Sequence, residues 1–335
     1  MTENKKIILL TGGAGYIGSH TCVSLVQNGF TPLIIDNFSN SFPYTIKKIN
    51  KLVGKMFFFE KGDICDLKFL NHIFKKYTIF GIIHFAALKS IPESYLKQKK
   101  YFEVNINGTK KMLKMCKKYD CNFFIFSSSA AIYDQNQSPP YSENSKINPL
   151  NPYSRSKYFA EKEIAHFSHL KQDFRFIVLR YFNPVGAHES GYLNENPKKG
   201  LGNLMPQICK TANGDRKFLN IYGNQYDTSD GTCIRDFIHV VDLAEGHVKA
   251  LNYLINKKKN STFNLGTGKG ITVMNVIKTF EKINNIKVKY KIRPPRVGDA
   301  KSSFANTFKA SKFLKWRANK NLASMCESSW YPFLK

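Results

Sequence analysis

The first thirty residues contain the feature that most narrows the possible folds. Residues 7–11 form a short run rich in isoleucine and leucine, which is typical of a buried strand. A glycine-rich stretch, Gly12-Gly-Ala-Gly-Tyr-Ile-Gly18, follows at once. Apolar residues then recur at helical spacing until Gly29, which is placed to end a helix. The segment therefore predicts a strand, a tight turn and a helix in direct succession.

The spacing of the glycines indicates what the turn binds. Gly12 allows a tight turn, Gly15 lets the backbone approach a diphosphate, and Gly18 lets the helix pack closely on the strand. The N-terminus of the helix then offers free N–H groups to an anion. The next strand ends in Asp36, where a carboxylate accepts hydrogen bonds from the ribose of NAD and repels the extra phosphate of NADP. These residues predict an NAD site, against the alternative of a glycine-rich turn in another α/β protein.

Strand-like runs alternate with helical segments through the first half of the chain. The runs cover residues 7–11, 32–35, 56–60, 79–85, 123–128 and 175–181. This alternation predicts an α/β fold with a doubly wound parallel sheet of the Rossmann type. After residue 183 the pattern becomes irregular and rich in Asn, Gly and Pro. We therefore expect residues 1–183 to form the NAD-binding domain and residues 184–335 a smaller, mixed α/β substrate domain, with some segments packing back on the first.

Tyr153 and Lys157 lie one helical turn apart, so a helix can bring their side chains to one face. A nearby ammonium group favours the phenolate and so lowers the pKa of a tyrosine from its usual value of about 10. Such a phenolate is a suitable base for a sugar hydroxyl. An isolated pair of this kind is more often an aromatic residue beside a lysine on a helix surface. The catalytic interpretation therefore depends on the dinucleotide site.

The chain is strongly basic, with 51 Lys and Arg against 24 Asp and Glu, a net charge of +27. Such a charge raises nucleic acids and membrane surfaces as partners. However, the lysines are spread along the whole chain, often beside Asn, Ile and Phe, as A+T-rich coding produces. We interpret the charge as compositional drift that assists capture of an anionic substrate, and we predict no specific nucleic-acid partner.

The remaining composition favours a cytoplasmic protein without a metal. The seven cysteines are scattered without Cys-x-x-Cys spacing, which indicates a reducing compartment. The eight histidines form no metal-ligand motif in the sequence. The first residues lack the pattern of a signal peptide, and the apolar runs are strand-sized, so we expect no membrane association.

Four stretches carry a resemblance to a known family: residues 11–20, 84–89, 179–188 and 230–242. They resemble the extended short-chain dehydrogenases/reductases and, within them, the UDP-glucose 4-epimerases, and the similarity runs nearly end to end. The resemblance implies an isomerase of carbohydrate and galactose metabolism that interconverts UDP-galactose and UDP-glucose. It implies a 4-keto intermediate, tightly bound NAD, and a homodimer joined through helices of the NAD-binding domain.

The resemblance also implies roles for individual residues. The catalytic group would be Ser129, Tyr153 and Lys157. The cofactor would be held by Gly12, Gly15, Tyr16, Ile17, Gly18, Asp36, Asn37, Asn40, Ser41, Asp63, Ile64, Phe85, Ala86, Lys89, Asn105, Ser127, Tyr153, Lys157, Tyr181 and Phe182. The UDP-sugar would be held by Lys89, Ser129, Tyr153, Phe182, Asn183, Asn203, Leu204, Asn220, Tyr222, Arg235, Arg296, Asp299 and Ser303. The chemistry agrees in type, because guanidinium groups pair well with diphosphate oxygens.

Several positions depart from the pattern of the family. Ala131 replaces a usual threonine, Asp134 a usual glycine, and Cys233 and Phe237 a usual glycine and tyrosine. Ser303 lies where epimerases carry either a bulky tyrosine or a small residue. Because a small side chain leaves room for an N-acetyl group at C2, we hypothesise that UDP-GlcNAc and UDP-GalNAc are also accepted.

Two relatives and one non-catalytic function are the alternatives. A nucleotide-sugar 4,6-dehydratase shares the fold, NAD and the Tyr/Lys pair, but needs an Asp-Glu pair after the catalytic serine, where this chain has Ala130 and Ala131. A UDP-glucuronate decarboxylase would also want an acidic residue near this place. A NAD-binding protein without catalysis would tolerate loss of the tyrosine or lysine, yet both are present.

Overall fold

A computed structural model describes residues 6–198, 202–296 and 299–334. The strands in these ranges are β1 (Ile7–Thr11), β2 (Thr31–Asp36), β3 (Phe58–Lys61), β4 (Ile79–His84), β5 (Phe123–Ser129), β6 (Arg175–Tyr181), β7 (Asn183–Val185), β8 (Leu219–Tyr222), β9 (Ile234–Arg235), β10 (Phe237–His239), β11 (Ser261–Leu265), β12 (Ile271–Thr272), β13 (Tyr290–Arg293) and β14 (Ser302–Ser303).

The α-helices in the same ranges are α1 (Tyr16–Gln27), α2 (Tyr44–Val53), α3 (Leu67–Lys76), α4 (Ile91–Leu96), α5 (Gln98–Phe102), α6 (Gly108–Lys118), α7 (Pro152–Leu170), α8 (Leu204–Ala212), α9 (Val240–Lys257), α10 (Val273–Asn284) and α11 (Leu322–Trp330). A π-helical turn, Glu103–Asn107, joins α5 to α6.

Seven strands form one sheet in the order β11-β6-β5-β4-β1-β2-β3, and every neighbouring pair is parallel. The chain runs outward from β1 through β2 and β3, then returns to β4 and continues to the other edge. The order therefore reverses between β1 and β4, which is where such sheets bind their ligands. The predicted α/β fold with a doubly wound parallel sheet is confirmed.

Helices cover both faces of the sheet, and the strands alternate their apolar side chains between two cores. Ile8 and Leu10 pack on one side with residues of α1 and α9, including Leu25 and Leu251. Leu9 packs on the other side with residues of α3, α6 and α7. Because both faces are buried, the inner strands β1, β2 and β4 are mostly apolar along their length.

The predicted strands agree with the structure except at the third. The strand was expected over residues 56–60 but spans Phe58–Lys61. β3 is the edge of the sheet and pairs only with β2 among the described residues, and Met56 is half exposed before it. Because side chains at an edge strand are only partly buried, an apolar run does not mark where the strand begins as clearly as it does inside the sheet.

The part of the chain after residue 183 contributes to two regions of the molecule. β11 pairs with β6, and α9 packs on α1, so both belong to the layers of the large sheet. A separate core lies among α8, α10 and α11 and includes Ile208, Phe280 and Trp330. Small sheets, β7 with β10, β8 with β13, and β9 with β12 and β14, lie in this region.

None of the helices in the described ranges is long and apolar enough to cross a membrane.

Candidate active site

One cavity of about 580 Å³ opens at the carboxyl ends of the parallel strands. The structure brings to its wall every residue that the sequence assigns to cofactor, substrate or catalysis, with the exception of Asn105. The cavity therefore joins the glycine-rich turn, the Tyr153–Lys157 pair and the two arginines of the C-terminal half.

At one end of the cavity, the glycine-rich turn and Asp36 form the cradle expected for a dinucleotide. Gly15 is the N-cap of α1 and uses no side chain there, so the first N–H groups of the helix face the cavity without a capping group. A Cβ at Gly12 would lie 2.8 Å from Ala86 N, so no larger residue fits. The open helix end and the close backbone approach fit a diphosphate.

Asp36 closes this cradle from the end of β2. Its carboxylate accepts from Ala14 N at 3.0 Å, from Phe38 N at 2.8 Å and from Ser41 Oγ at 2.8 Å. Burial raises the pKa of Asp36, and these hydrogen bonds oppose the shift. The carboxylate is thus fixed against the glycine turn, where it can accept from a ribose. These donors and acceptors fit NAD.

Asn37 and Asp63 lie beside this end of the cavity. Asn37 Nδ2 donates to Asp63 Oδ2 at 2.7 Å, and Asp63 Oδ1 accepts from Cys65 N at 2.8 Å. Ile64, the next residue, is buried. The ends of β2 and β3 are thereby tied together around a space suited to a flat base and its sugar.

Tyr153 and Ser129 both line the cavity, and Ser129 is close enough to lower the pKa of the Tyr153 phenol. Ser129 is the last residue of β5, and its Oγ accepts from Ala131 N at 3.1 Å, which starts the turn at Ala130–Ile132. Tyr153 is in the first turn of α7, which begins at a capping box formed by Asn151 and Ser154. Strand end and helix start thus place the two hydroxyl groups together.

Lys157 is buried, and its Nζ donates to Ser127 O at 2.8 Å and lies 5.0 Å from the ring centre of Phe126. Burial lowers its pKa from 10.5 to about 7, and the charge of Glu161 opposes this. The ammonium is therefore held in an environment that favours release of its proton.

The pKa of Tyr153 differs from the sequence expectation. Burial raises it, while the Ser129 hydroxyl and the positive charge of Lys89 lower it. The positive charge that favours the phenolate here is that of Lys89, which follows β4. The same role for Lys157 stays a prediction. The helical spacing correctly places Lys157 on the face of α7 that carries Tyr153. It could not predict that the Lys157 ammonium donates to the Ser127 carbonyl.

A buried ion pair supports this group from behind. Arg180 on β6 binds Glu161 on α7 through two contacts, Nη2–Oε2 at 2.6 Å and Nε–Oε1 at 3.1 Å. Glu161 also accepts from Ser128 Oγ, and Arg180 donates to Tyr133 OH at 3.3 Å. The pair ties α7 to the ends of β5 and β6, which fixes the helix that carries Tyr153 and Lys157. The sequence analysis missed Glu161, although it lies one turn after Lys157.

At the other end of the cavity, two arginines share one carboxylate. Asp299 binds Arg235 Nη2 at 2.9 Å and Arg296 Nε at 2.8 Å. Arg296 also lies 4.9 Å above the ring centre of Tyr222. Two guanidinium groups beside an aromatic ring can hold a nucleoside diphosphate. Asn220, Asn203, Leu204 and Ser303 line the same region.

Asn105 lies one layer behind the cavity wall. Its amide accepts from Leu88 N at 2.8 Å and donates to Leu88 O at 3.0 Å and to Ser156 Oγ at 2.8 Å. The side chain thus fixes the segment that carries Lys89 onto α7. Val104, the residue before it, lines the cavity instead.

Three of the four residues that depart from the family pattern line the cavity, and the fourth stabilises a neighbouring loop. Ala131, Cys233 and Phe237 line the cavity. Asp134 organises the following loop, because it accepts from Asn136 N at 3.2 Å and pairs with Lys146 at 3.3 Å. In the described part of the chain, no three His, Cys, Asp or Glu side chains are grouped to hold a metal.

Glu195 is a cavity residue that the sequence analysis missed. It lines the wall and contacts Lys89 Nζ at 3.0 Å and Asn203 Nδ2 at 2.7 Å. It comes from a loop without helical or strand periodicity, so no pattern singles it out.

The fold and the site together define an α/β protein in which a glycine-rich dinucleotide cradle, a tyrosine with a serine, and two arginines line one cleft. The family model of the NAD dependent epimerase/dehydratase family matches residues 8–266. The chain therefore belongs to that family.

Individual relatives agree with this assignment. The chain is 43% identical to the UDP-glucose 4-epimerase of Dictyostelium discoideum, over 96% of this chain and 94% of the relative. The UDP-glucose 4-epimerase of Bifidobacterium longum, solved with NAD⁺ and UDP, is similar in structure, with a TM-score of 0.94, 39% identity and 98% of each chain covered. The enzyme of Stenotrophomonas maltophila, solved with NAD and a formylated UDP-arabinopyranose, has a TM-score of 0.95 and 38% identity, covering 98% of this chain and 97% of that one.

Lys157→Met should alter how stability depends on pH. The unfolded chain keeps the lysine protonated up to pH 10.5, whereas the folded chain does so only to about pH 7, so the wild type gains stability as pH rises between these values. The methionine variant lacks this gain. The free energy of unfolding of the variant, relative to that of the wild type, should therefore fall by about 2 kcal/mol between pH 7 and pH 9. Urea unfolding of both proteins at the two pH values measures the difference.

Lys162→Met is the matched control, because Lys162 is exposed on the same helix. Its free energy of unfolding should follow the wild type at both pH values. A Lys157→Met curve parallel to the wild type would contradict the lowered pKa of Lys157.

Proposed function

We propose that this protein is a UDP-glucose 4-epimerase that interconverts UDP-galactose and UDP-glucose with bound NAD. The observation that carries the proposal is the single cavity in which Tyr153 and Ser129 lie between the dinucleotide cradle and the paired arginines. The similarity to relatives of that activity supports it.

The residues of the chain account for binding at both ends. Gly12, Gly15 and Asp36 would hold the diphosphate and ribose of NAD. Arg235 and Arg296 would hold the diphosphate of the substrate, and Asp299 between them would accept from its ribose. Bound NAD supplies reversible transfer of a hydride from and to C4 of the hexose.

Tyr153 would take the proton from the O4 hydroxyl as its phenolate, with Ser129 hydrogen-bonding the same oxygen. Lys89 favours that phenolate through its positive charge. Because the tyrosine returns the proton at the end, the group works as base and then as acid. The arginine end anchors the nucleotide while the sugar turns, so either face of C4 can meet the cofactor.

The acidic residues of the cavity do not favour dehydration. Among the described residues that line it, Asp36 and Asp63 lie at the dinucleotide end, Asp299 between arginines, and Glu195 against Lys89. The positions after Ser129, where a 4,6-dehydratase needs its acid and base, are Ala130 and Ala131. Epimerisation is therefore the reaction that this set of residues serves best.

Incubation with UDP-galactose tests the function. We expect UDP-glucose to form without net NADH, and Tyr153→Phe to lower kcat about 10²–10⁴-fold through loss of the base. NAD content, measured after gel filtration, should stay unchanged in the variant.

Tyr158→Phe is the control, because Tyr158 lies on the same helix and packs against Lys162 at 5.3 Å, away from the catalytic group. A 4-keto-6-deoxy product would identify a dehydratase. Full activity in Tyr153→Phe would remove the phenolate from the mechanism.

A second proposal concerns N-acetylated substrates. Ser303 lines the cavity, and its carbonyl is fixed by Asp236 N at 3.0 Å, so a small side chain is held at this point of the wall. The space beside it would accept the N-acetyl group of UDP-GlcNAc.

We expect turnover of UDP-GlcNAc, and a loss of it of at least about tenfold in Ser303→Tyr, because overfilling a packed space costs about 1–3 kcal/mol. Turnover of UDP-galactose should change less. Ser302→Tyr is the control, since neighbours along a strand point to opposite faces. A wild type that converts UDP-galactose but not UDP-GlcNAc would contradict the proposal.

We also propose that the protein forms a homodimer through α4 and α7. The two helices pack together, and each carries exposed apolar side chains: Leu96 (84 % exposed) and Tyr95 (59 %) on α4, and Phe159 (47 %) on α7. Apolar side chains gathered in this way mark an interface, and a second copy would cover them.

Leu96→Glu should shift the protein from dimer to monomer, because a carboxylate would be buried without a partner. Sedimentation equilibrium of the NAD-loaded protein measures the masses. Leu334→Glu, at another exposed leucine, should leave them unchanged. A monomeric wild type, or a variant that remains dimeric, would contradict this interface.

We place the protein in the cytoplasm. The seven cysteines are all unpaired, and six of them are buried, which supports a reducing compartment. Cell fractionation would test the location.

A further inference from the structure

Glu195 bridges two parts of the cavity wall. Its Oε1 accepts from Lys89 Nζ at 3.0 Å and from Asn203 Nδ2 at 2.7 Å. Lys89 follows β4, on the side of the dinucleotide, and Asn203 precedes α8, on the side of the substrate. A single carboxylate oxygen therefore connects the two binding regions.

The other oxygen of this carboxylate is unused. Glu195 has only 6 % of its side chain exposed, and Oε2 is buried without a hydrogen-bond partner among the described residues. A buried carboxylate oxygen that accepts no hydrogen bond is costly, so native structures usually provide a donor. Because Glu195 lines the cavity, a bound molecule is the donor that the site can supply.

The position of Glu195 is fixed by its neighbours in the loop. Asn196 Nδ2 donates to Tyr44 OH at 2.7 Å, and Lys198 Nζ donates to Phe38 O at 3.2 Å. Both contacts attach the segment to the loop and helix after β2. With Oε1 held by Lys89 and Asn203 as well, the carboxylate has little freedom to turn Oε2 elsewhere.

The chemistry of the missing donor follows from the carboxylate. An ionised carboxylate only accepts hydrogen bonds, and it repels phosphate. The donor must therefore be an N–H or O–H group without negative charge. In a complex of NAD and a UDP-hexose, hydroxyl groups of the ribose and the hexose supply such donors.

We propose that Glu195 is a further ligand-binding residue, whose Oε2 accepts a hydrogen bond from a sugar hydroxyl of the bound hexose or of the cofactor ribose. The proposal rests on the proposed function, because that function brings both sugars into the cavity. Through Lys89 and Asn203, the same carboxylate would align the cofactor side with the substrate side. Glu195 thereby adds a hydrogen-bond acceptor to the set of binding residues expected from the sequence.

Glu195→Gln tests the proposal, because the amide keeps an oxygen for Lys89 and Asn203 but turns the acceptor Oε2 into a donor. If the hydroxyl belongs to the hexose, affinity for UDP-glucose should fall about tenfold or more while affinity for UDP stays unchanged. If it belongs to the cofactor, NAD should dissociate about tenfold faster, while the ratio of the affinities for UDP-glucose and UDP should stay unchanged. Calorimetric titration of the NAD-loaded protein measures the first outcome and NAD loss during dialysis the second.

Glu189→Gln is the matched control, because it makes the same change at an exposed position of the same loop. It should alter neither quantity. Unchanged UDP-glucose affinity and unchanged NAD dissociation in Glu195→Gln would overturn the proposal. This result is distinct from failure of the proposed function, which would appear as absence of UDP-galactose turnover in the wild type.

Discussion

The turn after β1 lies against the segment after β4, and the arrangement of the cavity depends on that contact. Phe85 N donates to Thr11 O at 3.0 Å and Ala86 N to Thr11 Oγ1 at 3.2 Å. Gly12 adopts a left-handed φ of 69°, and its own N–H donates to Ile35 O at 2.8 Å. The ends of three strands thus meet at one glycine. A side chain there would separate the dinucleotide cradle from the segment that carries Lys89.

The polar interior behind the site serves a related purpose. Glu161 and Arg180 are both buried, and their attraction offsets the cost of removing two charges from water only because each has further hydrogen bonds. The contacts to Ser128 and Tyr133 provide them. The pair fixes the orientation of α7 relative to β5, so the distance between Ser129 and Tyr153 is set by buried charges as well as by apolar packing.

The sequence predicts best those parts of the structure whose causes are local. The glycine-rich turn, the six strands up to residue 181 and the helical Tyr153–Lys157 pair each follow from short-range spacing. β11 was not predicted, because Ser261–Leu265 contains a buried polar residue, Asn264, whose amide meets Tyr133 and the Tyr141 carbonyl more than a hundred residues away. No local pattern reveals such a partner.

The site residues show the same limit. Contact of Asn105 with the cofactor stays a prediction. In the π-helical turn Glu103–Asn107, Val104 lines the cavity, while Asn105 bonds to Leu88 and Ser156 behind it. Glu195 belongs to an irregular loop, where its role depends on Lys89, 106 residues earlier in the chain. The division at residue 183, with some later segments packing back on the first domain, stays a prediction. β11 is one such segment, since it pairs with β6.

The late position of β11 bears on how the protein is made. A nascent chain that has emerged only as far as residue 183 carries the glycine-rich turn and Tyr153, yet β6 is still an edge strand with unpaired backbone groups. The apolar face of α1 also lacks α9, whose Leu251 and Leu254 complete that core. β11 can pair with β6 and complete the sheet only after residue 265 has left the ribosome. Until then the nascent chain exposes an unpaired strand edge and an apolar helix face, both of which are prone to aggregation. Chaperones can bind these surfaces during this stage of synthesis.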